Sequence, residues 1–260
     1  MNTETAHALC DITSAFYRAH AASFSSTRRG AWAGWENCLD AAGFPPGAPC
    51  ARVLDVACGN MRFLHFLEER FPSVAFDYLA VDNCEPLAEG EALPFRSRVA
   101  FRPIDVAGAL LSGELERELA VACAGAPERD ASVCFGFFHH VPTVQAREAL
   151  LRALVRSVRP GGAVAVSFWQ FENSPDLARR ARETTARACG ELGIRDLDRG
   201  DYLVGWQNEP HAYRYCHSFA SPEIDKLAAS AQTEADVVSR FTADGRTGNL
   251  NAYLVLRRKG

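Results

Sequence analysis

Nine cysteines are spread over the 260 residues, at positions 10, 38, 50, 58, 84, 123, 134, 189 and 216, yet no two of them form a Cys-x-x-Cys pair. That absence removes the common zinc and redox-couple motifs, and the scatter reads as buried thiols of a reducing cytoplasm. No metal site is expected from the sequence. A long uncharged apolar run is also missing, as is a basic-then-apolar stretch at the start, so neither a membrane span nor secretion is expected and a cytoplasmic location is. Gly-x-Gly-x-x-Gly is lacking too. Without it no turn brings the backbone onto a pyrophosphate, which counts against a nicotinamide oxidoreductase. Lysine is scarce, at 2 against 26 arginines. Arginine suits bidentate binding of carboxylate and phosphate, although coding bias produces the same ratio. There is no internal repeat and no low-complexity tail.

What is present is the composition of a soluble globular chain, 48% hydrophobic and 23% charged, with length for one large α/β domain. The formal net charge of −4 opposes a protein that holds nucleic acid over its whole face, and no DNA partner is expected. The charge is uneven. Residues 1–150 carry 12 basic and 19 acidic side chains, whereas residues 151–260 carry 16 and 13, which leaves room for a local basic surface on the second half.

Helical spacing of Leu9, Ile12, Ala15, Phe16 and Ala19 predicts an amphipathic helix over 5–22, and a second is expected over 32–41. An apolar strand over 52–56 then enters a small-residue turn and a helix over 61–70 with Asn60 as its cap. Further strands are expected at 76–81, 98–102, 131–137 and 163–168, with helices over 108–124 and 144–158 between the later ones. This alternation predicts a doubly wound, Rossmann-like, seven-stranded and mainly parallel sheet whose ligands sit outside the carboxyl ends of its strands. After Trp169 the rhythm changes. A charged helix over 174–192 and an irregular aromatic run over 201–219 read as an insertion, and a helix over 221–230 precedes a C-terminal antiparallel hairpin of strands at 235–242 and 251–257. The expected organisation is therefore one domain over 1–260, with N-terminal helices over 1–50, a cofactor-binding core over 51–169, a substrate-side insertion over 170–220 and a final helix and hairpin over 221–260.

The first turn decides the ligand. Asp55 ends its strand, where it would repel a phosphate but hold a cationic amine, and Ala57 and Gly59 are small enough for backbone to approach a ligand. Asp82 ends the second strand, a position from which one carboxylate can take both ribose hydroxyls. Asp105 follows the third strand. S-adenosylmethionine, with an ammonium, a sulfonium and no phosphate, suits three acids in register.

These residues resemble the class I S-adenosylmethionine-dependent methyltransferases, whose first motif is an acid followed by alternating small residues. Asp55, Ala57 and Gly59 match it, with Ala57 standing where Gly is usual and Met61 where a third Gly is common. The resemblance implies that Asp82 binds the ribose, Asp105 the adenine amine and Phe137 the face of the methionine moiety. Trp32, Cys58, Asn83 and Val106 complete the implied cofactor set. A narrower resemblance covers most of the chain. The segment from Phe24 to Trp32, His139-His140, the strand ending at Trp169, the run from Asp201 to Trp206 and the run from Arg214 to Phe219 are similar to the signatures of the tRNA wobble-uridine carboxymethyl methyltransferases. That family esterifies the carboxylate of a 5-carboxymethyluridine and works with a small zinc-binding activator protein, so tRNA and such an activator are the partners it implies.

A carboxylate acceptor agrees with the residues that remain. It is nucleophilic at neutral pH and needs positioning more than a base. Arg28 and Arg214 suit a bidentate carboxylate clamp. His139, His140, Tyr215 and His217 would complete the cradle or, for a hydroxyl or amine, remove a proton. Trp32, Trp169 and Trp206 would stack on a base or on the cofactor. Two other readings stay open: methyl transfer to a small-molecule acid, hydroxyl or amine, and a methyltransferase-like subunit that binds without turnover.

Overall fold

The central strands of this protein are buried on both sides, and that fixes where they sit. In the computed structural model, which describes residues 1–27, 30–45, 47, 49–88, 95–124, 128–207 and 209–260, β1 (Cys50–Val56), β2 (Ala75–Asp82), β3 (Arg98–Pro103), β4 (Arg129–Cys134) and β5 (Val158–Trp169) run parallel. Near-continuous apolar runs such as Val53-Leu54 and Tyr78 to Val81 belong in a sheet covered on both faces. β8 (Ala235–Ala243) and β9 (Asn251–Arg258) complete it antiparallel to their neighbours, in the order β3-β2-β1-β4-β5-β9-β8. Strand order reverses between β1 and β4, and the crevice at that switch is where an open α/β sheet takes its ligand.

Alternate residues of each strand feed two different cores. Leu54, Val56, Leu79 and Val81 face α5 (Val106–Ser112), α6 (Leu115–Ala122), α7 (Val144–Arg156) and α9 (Ser221–Ser230). Val53, Tyr78 and Ala80 face α2 (Ala33–Ala42) and α3 (Arg62–Arg70). A short α4 (Glu85–Ala88) follows β2. The long α1 (Thr3–Ser26) belongs to neither layer. It packs on an antiparallel ribbon of β6 (Asp201–Gly205) and β7 (Tyr213–His217), through Leu9 against Tyr213 and Tyr215, and α8 (Pro175–Leu192) backs the same ribbon through Ala188.

The structure departs from the sequence expectations at several places, β5 among them, which begins at Val158 rather than at 163. Gly113, at φ +76°, breaks the helix expected over 108–124 into α5 and α6. The fourth strand ends at Cys134 rather than at 137, because Gly136 turns left-handed (φ +74°) and leads Phe135 to Phe137 out of the ladder. The run expected to be irregular over 201–219 is mostly the β6–β7 ribbon. Finally, Asn60 does not cap α3; Met61 holds the cap position, left-handed and with no side-chain bond to the helix.

Candidate active site

At the carboxyl ends of β1 to β5 lies a cavity of about 670 Å³, within the range of about 300–1,000 Å³ usual for small-molecule sites. Its floor is the turn after β1. Ala57, Gly59 and Met61 all have positive φ, at 60°, 53° and 55°, so the chain turns left-handed at every second residue. A Cβ on Gly59 would meet nothing within 4 Å, so glycine is needed there for conformation rather than for clearance. Met61 turns away from the cavity into the core beside Trp35, Phe63 and Leu64. The large residue in the motif therefore does not crowd the site.

Each acid sits at a strand end for a reason visible in its bonds. Asp82 is buried, and its two oxygens accept the backbone N–H of Gly59 at 2.9 Å and of Cys84 at 2.8 Å. Burial raises its pKa, with those N–H bonds pulling the other way. Each oxygen retains capacity for a second donor, which is what a ribose diol asks for. Asp55 is also buried and accepts the Tyr78 hydroxyl. Burial, with the nearby charge of Asp82, pushes its carboxyl up to about 7 despite that bond. Asp105 is exposed, caps α5 through the Gly108 N–H at 3.2 Å and accepts Asn83 Nδ2 at 3.2 Å. These three acids line one cavity together with Ala57, Cys58, Asn83, Val106 and Phe137.

Trp32 leans over Gly136, where an added Cβ would lie 2.9 Å from the indole. The Arg62 guanidinium stacks on Trp32 and Trp35, at 5.3 and 5.5 Å from their ring centres, and donates to the Gly30 carbonyl at 2.8 Å. Trp169 lines the cavity beside His139, with ring centroids 5.1 Å apart. Trp206 does not line it; it packs against Phe16 and Phe24 and donates to Ser23 Oγ at 3.2 Å.

Strand alternation sorts the three site residues expected from β7. Arg214 lines the cavity and is only 5% exposed, its guanidinium held against Phe16 and Trp206 at 4.9 and 5.3 Å from the ring centres. Among the described residues no carboxylate lies within ion-pair distance of it. Tyr215 and His217 face away, contrary to the expectation from sequence. Tyr215 donates to Asp201 at 2.7 Å and accepts from Arg147 at 2.9 Å, while His217 lies between Asp201 at 2.7 Å and Glu223 at 3.1 Å. That buried network ties the ribbon to α7 and α9. Arg28 lies outside the described residues.

His139 and His140 both line the cavity from a short 3-10 turn over Phe138–His140. His140 Nδ1 is 2.7 Å from the Tyr215 carbonyl and its Nε2 is 2.8 Å from the Tyr17 hydroxyl. Burial, with the Arg214 charge adding to it, pushes its pKa down to about 3, so the imidazole is neutral. Cys216 brings a third ligand-type atom within 4.8 Å of the two histidines. The group makes a poor cation site. Both His140 nitrogens are engaged, the Cys216 thiol is pushed up to about 12 by burial, and a guanidinium stands beside it.

Several lining residues were not singled out by the sequence reading. Cys10, Ser14 and Tyr17 come from one face of α1, and their i, i+4, i+7 spacing is a signal masked by the stronger apolar stripe next to it. Asp244 comes from the β8–β9 connection and Asn251 from the first position of β9, and Asn251 Nδ2 donates to Asp244 at 2.9 Å. Nothing local marks them as site residues.

No family model matches the chain. A tRNA (carboxymethyluridine(34)-5-O)-methyltransferase of Arabidopsis thaliana is 27% identical over 160 residues, which is 60% of this chain and 32% of the relative. The chain thus spans about a third of the length of the curated relative it matches. Among solved structures it is similar to a SAM-dependent methyltransferase from Methanosarcina mazei (TM-score 0.55, 14% identity, 88% of this chain and 98% of that one). A second, from Anabaena variabilis, gives a TM-score of 0.56 at 15% identity over 94% of each chain. The DhpI–SAH complex gives 0.55 at 17% identity over 97% of this chain and 98% of that one. The fold is the Rossmann-like fold of the class I methyltransferases.

Proposed function

We propose that this chain transfers a methyl group from S-adenosylmethionine to an acceptor held against Arg214. The observation that carries the reading is the convergence of Asp55, Asp82 and Asp105 on one cavity that lacks a phosphate-binding glycine triplet. Such a set fits an adenosyl ligand with an amine and no phosphate: Asp82 for the ribose, Asp105 and Asn83 at the adenine end, and Asp55 for the ammonium. When bound, S-adenosylmethionine supplies an electrophilic methyl on a sulfonium. The chain's own residues then have to orient an acceptor and exclude water. S-adenosylhomocysteine titrated calorimetrically into the protein tests the cofactor assignment. Micromolar binding that Asp82→Ala abolishes is expected; no heat, or unchanged affinity in the variant, refutes it.

The finer reading is an acceptor carboxylate, such as that of a 5-carboxymethyluridine in tRNA, in the cytoplasm and with a small activator protein as partner. Three observations support it: the family segments, the similarity to the Arabidopsis thaliana enzyme, and a buried Arg214 without a carboxylate partner among the described residues. His140 supports it as well. A neutral imidazole with so low a pKa is a weak base, which suits an acceptor that arrives already ionised. A free small-molecule acid is the second reading, favoured by the aromatic walls of Tyr17, Phe24, Trp32 and Trp169. Labelled cofactor incubated with total tRNA and, separately, with a metabolite extract separates the two; label confined to small molecules rules out tRNA.

A further inference from the structure

The strongest feature outside the assigned roles is a chain of hydrogen bonds running from β7 through His140 to α1. A carbonyl only accepts, so the Tyr215 carbonyl at 2.7 Å fixes the His140 proton on Nδ1. Nε2 is then a bare lone pair, and the Tyr17 hydroxyl at 2.8 Å has to donate to it. Turning the Tyr17 proton toward the cavity would require a proton on Nε2. Moving it from Nδ1 would set two lone pairs against each other at the Tyr215 carbonyl, and adding a second proton would create a buried imidazolium beside Arg214.

Tyr17 and the cavity's buried cation are linked through His140: the ring bonded to the Tyr17 hydroxyl feels the Arg214 charge, and the residue after Arg214 supplies the carbonyl that orients it. Both Tyr17 and Arg214 line the cavity. Toward any ligand, Arg214 can only donate and Tyr17 can only accept.

We propose that Tyr17, locked as an acceptor by His140, is a specificity-determining residue that works with Arg214 to recognise a ligand carrying both a carboxylate and a nitrogen-bound hydrogen. This rests on the reading of the cavity as a cofactor and acceptor chamber. A carboxylate-bearing nucleobase has that chemistry and is the occupant that the acceptor reading puts against Arg214; the amino-acid tail of the cofactor has it too, and its recognition here would take the ammonium from Asp55 and displace the acceptor from Arg214. His140 is a positioning residue in this scheme, and its task is to hold a proton on Nδ1 rather than to take one from a substrate.

Calorimetry on the wild type and on Tyr17→Phe, with three probes, tests the proposal. If Tyr17 reads the cofactor's tail, the variant binds S-adenosylhomocysteine about tenfold more weakly but 5′-methylthioadenosine, which lacks that tail, equally well. If it reads the acceptor, S-adenosylhomocysteine affinity is unchanged and the affinity of the homocysteine complex for 5-carboxymethyluridine falls about tenfold. Nitrogen-15 shifts of the imidazole rings in the wild type report the tautomer directly, with protonated Nδ1 and bare Nε2 expected for His140 from pH 5 to 8. A Tyr17→Phe variant that matches wild type in all titrations, or a His140 protonated on Nε2, overturns the proposal. Wild-type protein that binds no S-adenosylhomocysteine refutes the cofactor reading instead, and the tautomer measurement still stands as the test of the lock.

Discussion

The ring of Tyr253 fills the place where a side chain on Gly34 would stand: a Cβ there would lie 2.2 Å from two ring carbons. Tyr253 is fully buried in β9, and its hydroxyl is bonded to Asp244, which also accepts the Gly34 N–H at 3.3 Å. The start of α2 is thus clasped to the C-terminal hairpin, and Trp32 and Trp35 are carried over the cavity by that clasp.

Gly34→Ala is therefore expected to lift α2 from β9. The misfit cannot be relieved by a flexible side-chain tip, since a rigid ring is what it meets. A loss of about 1–3 kcal/mol in unfolding free energy is expected, the usual cost of overpacking. Weaker quenching of tryptophan fluorescence by S-adenosylhomocysteine should accompany it. Denaturant midpoints and a fluorescence titration measure the two effects.

Asp55 gives the site a dependence on pH whose sign follows from its environment. Its carboxyl is raised to about 7 from an ordinary value of 3.8, so the folded state holds a proton that the unfolded state has released over that interval. By linkage this residue's contribution to stability falls as pH rises from about 4 to 7. An ammonium beside Asp55 prefers the carboxylate form, so ligand affinity moves in the opposite direction. The rise in melting temperature caused by S-adenosylhomocysteine is expected to be larger at pH 8 than at pH 6, and Asp55→Asn should flatten that difference. Thermal melts with and without the ligand at the two pH values provide the check.

The end of the cavity that holds the three strand-end acids was legible in the sequence because it is written in local units. Asp55, Asp82 and Asp105 each follow a recognisable strand, and the parallel order of β1, β2 and β3 brings them together without further information. The other end is assembled from α1, β7 and the β8–β9 hairpin, segments that meet only after folding, as in the bond from the Tyr215 N–H to Thr13 Oγ1, 202 residues away in the chain. Residues chosen there by type alone include both faces of one strand. Arg214 faces the cavity, whereas Tyr215 and His217 serve the buried network behind it.

That division predicts a stability phenotype for His217. It bridges Asp201 and Glu223 beneath the ribbon, with Arg147 also 3.5 Å from Asp201. His217→Ala leaves buried Asp201 with one partner fewer and is expected to cost about 3–5 kcal/mol. S-adenosylhomocysteine affinity, measured below the lowered melting temperature, should stay within about twofold of wild type, a difference worth about 0.4 kcal/mol.

Arg214 should behave in the opposite way. A buried guanidinium with no carboxylate among its described neighbours contributes little to the fold, since desolvation of the charge opposes what it gains from Phe16 and Trp206. Arg214→Gln is expected to change unfolding free energy by less than about 1 kcal/mol, in contrast to the loss at His217. Methyl transfer should nevertheless fall by about a hundredfold or more, because a charge-assisted fork to the acceptor carboxylate, worth about 1.5–3 kcal/mol, is removed together with the orientation it imposes. Denaturant unfolding paired with a labelled-methyl assay distinguishes the alternatives. A destabilised Arg214→Gln with normal turnover would make this arginine a structural element and move the acceptor away from it.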